Sequence, residues 1–330
     1  MICKLGAIFG TGRSGTTWLG SILSSSPEIS YRFEPFHRLK NTNTRINNGF
    51  ELICSDTFSS KDLSYIYSVL SPAYPECEKP PFFRKNFAIR PGIKFAWLFS
   101  RNNPLGAYFF RHIYTTKEQP MLIFKEVDCV DLLIQLTRRT EIPIVYIVRH
   151  PCAVVSSVMR GQKNLLMPSK RRSVLKSLLA KHQPMLAEKY QDRLDLLSVC
   201  EQEALLWLVD VERSLQACQN YSNVLVVIYE QLTKYPLETA EEVFEHFGLQ
   251  MTQESIAFIK ESTQNSSRSR IKRGEVGVKS YFTVFRDPKV SRDRWKTEMS
   301  QEDRMKVMKI VQQSNVFETF VKKGYWTEND

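Results

Sequence analysis

Five short apolar runs punctuate the chain: Leu5 to Phe9, Ile29 to Phe33, Met121 to Phe124, Ile142 to Val148 and Val224 to Ile228. Each has the length of a strand and is rich in β-branched or aromatic residues. Runs of this kind predict strands buried on both faces of a parallel sheet. Helical patterns lie between them. Thr16 to Ser24 follows the first run, Val130 to Arg139 the third and Ala153 to Arg160 the fourth. Longer helical stretches cover about Val174 to Leu186 and Leu194 to Gln219, and Pro236 opens another that ends near Gly248. The alternation predicts an α/β fold of three layers, a mostly parallel central sheet flanked by helices.

Two stretches break the alternation. Residues from about Leu39 to Gln119 are rich in proline and aromatic residues and read as an irregular insertion, centred on 40–115. Residues from about Thr263 to Arg294 are polar and basic and read as a long loop. The whole of 1–330 is expected to form one domain around one large core, with the insertion over the sheet.

Ligands of open α/β sheets bind at the carboxyl ends of the strands. The residues expected there are polar or charged in all five cases. They are the loop Gly10-Thr11-Gly12-Arg13-Ser14-Gly15-Thr16-Thr17-Trp18, then Glu34, Lys125, Arg149-His150-Pro151 and Tyr229-Glu230. Five such groups on one edge predict a shared site. In the loop, Gly10 and Gly15 stand as in a Walker A loop, and the helix that follows aims its positive end at a phosphate. Thr16, however, occupies the place of the Walker lysine, and the loop's cation is Arg13. That pattern suits a single phosphate held without an essential metal, rather than the triphosphate of a P-loop kinase.

The run Arg13-Ser14-Gly15-Thr16-Thr17-Trp18 after a strand resembles the 5′-phosphosulfate loop of the sulfotransferases that use 3′-phosphoadenosine 5′-phosphosulfate (PAPS). Val148-Arg149, with Ser157 eight residues on, is similar to the 3′-phosphate site of that family. Tyr229-Glu230-Gln231-Leu232, Pro236 and Phe247-Gly248-Leu249 look like a segment of its bacterial and carbohydrate members, and the placement of Glu34 is similar to that of a glutamate in glycan and protein-tyrosine sulfotransferases. Arg294-Trp295-Lys296 and the helix before Gly324-Tyr325 look like the family's ending. The resemblance spans nearly the whole chain except about 40–115. It implies a P-loop-like sulfotransferase fold and in-line transfer of a sulfuryl group from PAPS to an acceptor hydroxyl, leaving PAP.

The resemblance also implies roles. Glu34 is the expected general base and His37 the second candidate, while Arg13 and Lys125 stabilise charge on the transferred group. Arg13, Ser14, Gly15, Thr16, Thr17 and Trp18 hold the 5′ end of the cofactor, and Arg149 and Ser157 its 3′-phosphate. Tyr229 lies against the adenine or in the core. In the basic loop, Lys272, Arg273 and Gly274 close over the 3′-phosphate or belong to a solvated charge run. The expected acceptor is a glycan or glycolipid hydroxyl, with a small lipid or phenolic alcohol as the alternative.

Composition bounds the remaining classes. The net charge of +11 favours an anionic partner. The charges are scattered, however, which argues against a continuous nucleic-acid-binding face. The complete set of Arg13, Glu34, Lys125, Arg149 and Ser157 argues against an inactive scaffold. Seven widely spaced cysteines without a CxxC pair point to a reducing compartment, and the five histidines form no metal motif. Ile2 to Phe9 is too short for a secretion signal, and no stretch approaches the ~20 apolar residues of a membrane span. A cytoplasmic enzyme is expected, with peripheral membrane contact left open.

Overall fold

The computed structural model describes residues 4–39, 59–83, 93–114, 120–167, 170–190, 193–264, 284 and 287–327. Five strands form one sheet: β1 (Leu5–Gly10), β2 (Ile29–Phe33), β3 (Met121–Lys125), β4 (Ile144–Val148) and β5 (Val224–Ile228). The order is β2-β3-β1-β4-β5, and every pairing is parallel. β1, β3 and β4 are buried along their whole length, as their apolar runs require.

Side chains leave the strands to alternate faces and feed two separate cores. On one face, Leu5, Ala7, Phe9, Ile144 and Tyr146 pack with α6 (Val130–Arg139), α7 (Pro151–Lys163) and α10 (Val199–Cys218). On the other, Ile8, Ile123, Val145 and Ile147 pack with α1 (Thr16–Ser25), α12 (Pro236–His246) and α13 (Gln253–Gln264). The three-layer α/β expectation holds.

Local chemistry moves several boundaries. Pro143 lacks an N–H, so β4 begins at Ile144 rather than Ile142. Pro184 divides the helix expected over Val174 to Leu186 into α8 (Leu175–His182) and α9 (Pro184–Tyr190). A capping box between Ser198 and Glu201 starts α10 several residues after Leu194.

The stretch expected to be irregular between Leu39 and Gln119 follows α2 (Pro35–Arg38) and contains three longer helices among the described residues. These are α3 (Ser60–Leu70), α4 (Ile93–Asn102) and α5 (Pro104–Ile113). Ser59 and Asp62 form a capping box for α3, and Asn103 accepts the N–H groups of Leu105 and Gly106 to start α5. Abundant aromatic residues hid these signals in a sequence that reads as apolar all round.

The basic stretch after Thr263 is also partly helical. α11 (Tyr229–Lys234) contacts α14 (Pro288–Asp293), which is followed by α15 (Trp295–Glu298). Helices α16 (Gln301–Val311) and α17 (Asn315–Lys322) end the described chain. Among the described residues, no helix is long and apolar enough to cross a membrane.

Candidate active site

The carboxyl ends of the strands open into a cleft of about 510 Å³. Its lining includes Gly12, Arg13, Gly15, Thr16, Thr17 and Trp18 from the first loop, with Glu34, Lys125, Arg149, Ser157 and Tyr229. The strand ends therefore bring these eleven residues together. Lys272, Arg273 and Gly274 lie outside the described residues.

The loop is held by its own backbone and by one carboxylate. The Ser14 N–H donates to the Thr11 carbonyl at 3.2 Å, closing a turn. The Gly12 N–H donates to Asp128 Oδ1 at 2.8 Å, and Arg171 bridges Asp128 and Asp210 at 3.2 and 2.6 Å. Arg13 and Gly15 take positive φ values of 71° and 105°. Ser14 is fully buried and does not line the cleft; its hydroxyl sits beneath the loop, against Gly10. At the start of α1, no side chain caps the helix and the first turn carries no acid. The first N–H groups of a helix have no intrahelical acceptor. Thr16 and Thr17 thus present the positive end of α1 to the cleft, a fit for one phosphate or sulfate-bearing group.

Gly15 is required twice over. A Cβ there would lie 2.3 Å from Tyr229 Cδ2, and the left-handed φ strains any L side chain. Gly15→Ala is expected to lower stability by roughly 2–4 kcal/mol through overpacking and backbone strain together, readable as a drop in urea midpoint.

Arg13 joins the glycine-rich loop to Arg149 and Ser157. Its Nε donates to Ser157 Oγ at 3.0 Å, and its carbonyl accepts from Arg149 Nη1 at 3.0 Å. Ser157 sits in the second turn of α7, directly after the end of β4. Arg149 Nη2 donates to the Ser291 carbonyl at 2.5 Å, and its guanidinium stacks 4.3 Å over the Tyr229 ring. Tyr229 is buried in the core, one of the two places the sequence left open for it, and it also lines the cleft.

Two further arginines, Arg160 and Arg294, line the same region. Arg160 lies three residues after Ser157 on α7, so helical spacing already placed it on that face. Arg294 stands at the head of the Arg-Trp-Lys segment. Four arginines and an uncapped helix end fit a cofactor that carries two separate phosphate groups.

The other end of the site is a lysine–glutamate pair. Glu34 follows β2, which is not adjacent to β1, because β3 lies between them. That order sets Lys125, at the end of β3, between Arg13 and Glu34. The Glu34 N–H donates to the Lys125 carbonyl at 2.8 Å, and Lys125 Nζ donates to Glu34 Oε1 at 2.5 Å. Arg38 adds a 3.3 Å contact to Glu34 Oε2. Burial alone would raise the Glu34 pKa; the charge and hydrogen bond of Lys125, with Arg38, overcome it and hold the carboxyl at about 2.

His37 is placed differently. It is not among the cleft-lining residues, its side chain is half exposed, and Nδ1 lies 2.7 Å from Glu126 Oε2. The hydrogen bond to Glu126 raises its pKa. Glu126, fully buried, also accepts the Phe36 N–H at 2.7 Å. This carboxylate holds α2 and draws His37 aside, and its place directly after Lys125 was the sequence signal for it.

Arg38, Lys79 and Arg101, none of them marked by the sequence pattern, also line the cleft, together with the insertion's Trp97. Lys79, Trp97 and Arg101 come from the insertion, where no strand pattern points toward the site. Lys79 Nζ and Lys125 Nζ each lie 4.3 Å from the Phe33 ring centroid. Burial lowers the Lys79 pKa to about 7, with Lys125's charge acting in the same direction.

Several solved structures are similar to the chain at low identity. The sulfotransferase domain from the curacin biosynthetic pathway is 14% identical, with a TM-score of 0.47, covering 93% of this chain and 96% of its own. The sulfotransferase domain of the Synechococcus PCC 7002 olefin synthase is 14% identical, with a TM-score of 0.45 and coverage of 94% and 93%. A mouse sulfotransferase solved with PAP is 14% identical, with a TM-score of 0.47 and coverage of 96% and 88%. No curated protein matches the chain at a significant level. Residues 7–320 match the family model of the sulfotransferase domain, so the chain belongs to that family and is a PAPS-dependent sulfotransferase.

Proposed function

We propose that this enzyme sulfates the hydroxyl of an apolar acceptor, a lipid or phenolic alcohol, with Glu34 as general base. The observation that carries the acceptor class is the wall of the cleft. Beside its charged groups it is lined by Phe33, Trp97, Val127, Leu166, Met167 and Val284. Apolar and aromatic walls with a few placed polar groups suit a small hydrophobic ligand. This reading takes the place of the glycan that the sequence motifs favoured. All described elements are read as one domain, with α3 to α5 as its acceptor side.

PAPS supplies the sulfuryl group when bound and departs as PAP. The uncapped end of α1 and Arg13 are read as holding the 5′ end, and Arg149, Ser157, Arg160 and Arg294 the 3′-phosphate. Lys125 is shared between duties. Paired with Glu34 it keeps the carboxylate ionised, and as a cation in the cleft it attracts negative charge. A lysine drawn toward an anion loosens its hold on Glu34, and the carboxylate regains the basicity needed to take the acceptor's proton. His37, held by Glu126 outside the lining, is the second choice for that role.

The test is transfer of labelled sulfuryl from PAPS to a panel of long-chain alcohols, phenols and glycans in the presence of EDTA. The expected result is metal-independent labelling of the first two classes. Labelling of glycans alone would sink the acceptor assignment.

Lys79 gives a pH signature. A lysine with a pKa of about 7 is charged below neutrality and loses its charge above it. Affinity for PAP is therefore expected to fall as pH rises through about 7, and Lys79→Met should flatten that fall. Calorimetry at several pH values checks it.

A further inference from the structure

The α4–α5 hairpin shows two apolar faces, and only one of them is covered. Trp97, Phe110, Ile113 and Tyr114 pack with Ala73 and Phe82 in a small satellite cluster. The other face carries Phe95 and Leu98 on α4, then Leu105, Tyr108 and Phe109 on α5, all more than half exposed. Their spacing is helical, with positions 105, 108 and 109 at i, i+3 and i+4. Phe99 joins the two stripes: it is also more than half exposed, and its ring lies against buried Gly106 at the seam between the helices.

Six large apolar side chains at that exposure present roughly 600 Å², the upper end of what the largest patch of a soluble monomer reaches. Such patches mark contact with a partner or a membrane. The charge of the segment that carries it selects between them. From Lys79 to Lys117 the chain carries eight lysines and arginines and no aspartate or glutamate. On the hairpin itself Arg101, Arg111 and His112 are exposed. Exposed aromatic and aliphatic residues beside exposed arginines are the composition of an interfacial amphipathic element.

The patch is also continuous with the active site. Trp97 and Arg101 of α4 line the catalytic cleft while Phe95, Leu98 and Phe99 of the same helix face outward. We propose that the α4–α5 hairpin docks the enzyme on an anionic lipid surface and that the acceptor, an amphiphilic alcohol resident in that surface, enters the cleft along α4. The docking rests on the hairpin alone; the acceptor half rests on the sulfotransfer reading given above.

Co-sedimentation with vesicles tests it, using phosphatidylcholine alone and phosphatidylcholine with phosphatidylglycerol at about three to one. The full chain is expected to pellet with the anionic vesicles and to be released by salt. The Phe95→Ser/Phe109→Ser variant should bind them at least about tenfold more weakly, with unchanged circular dichroism and unchanged PAP affinity. Phe95 and Phe109 do not line the cleft, so PAP binding reports the fold of the site independently of the patch. Failure of the wild-type chain to bind PAP would strike the cofactor reading and leave the vesicle result standing. Three results overturn docking: wild-type protein that stays in the supernatant, a variant that pellets equally well, or light scattering that shows a dimer which the variant dissolves.

Discussion

An Arg13→Ala variant is expected to bind PAP at least about 100-fold more weakly than wild type in calorimetry, with its fold intact. The side chain makes a direct contact between the glycine-rich loop and Ser157, a 3.0 Å hydrogen bond. Removing it deletes a cation from the loop and leaves Ser157 without that donor. The carbonyl of residue 13, which anchors Arg149, is retained in the variant. The loss therefore reports the guanidinium itself rather than collapse of its neighbour. An affinity within a few-fold of wild type would mean that the helix end and Arg149 suffice.

Replacing Glu34 with Gln is expected to leave PAP affinity nearly unchanged and to lower kcat by on the order of 1,000-fold. The amide keeps the size of the carboxylate but cannot take a proton. Because Lys125 and Arg38 outweigh burial and hold Glu34 at about 2, the carboxylate is ionised at every ordinary pH. The acid limb of kcat/KM should then show no loss of Glu34 above about pH 4. Lys125→Met removes the main opposing charge, so burial acts with less opposition and the limb should move upward. The sign of the stability linkage follows from the same shift. A depressed carboxyl pKa stabilises the fold above its ordinary value of 4.5, and that contribution fades as pH falls through about 2.

The parts of the molecule most open to reading were those set by local pattern. Strand runs such as Ile144 to Val148 are buried on both faces, and burial of that kind leaves a plain apolar signature. The Gly10 to Gly15 loop was legible because left-handed backbone and close packing against Tyr229 restrict the residues allowed. Strand order was not legible. Parallel crossovers let β3, more than eighty residues after β2, insert between β2 and β1. Glu34 consequently met Lys125 rather than lying beside the loop.

The insertion failed for a different reason. Its helices carry aromatic residues on both faces, because one face packs and the other stays exposed, so no 3.6-residue periodicity stood out. Lys79, Trp97 and Arg101 reach the cleft from these helices and their connections. Nothing in their local sequence points toward strand ends contributed by distant segments. The insertion's share of the cleft was hidden for this reason, while the share of the strand ends could be read.

The most direct test of the account compares sulfuryl transfer from labelled PAPS by wild-type and Glu34→Gln enzymes, with PAP affinity measured on both. The account predicts equal affinity, transfer to an apolar alcohol by the wild type, and almost none by the variant. Transfer at comparable rates by both proteins would contradict it.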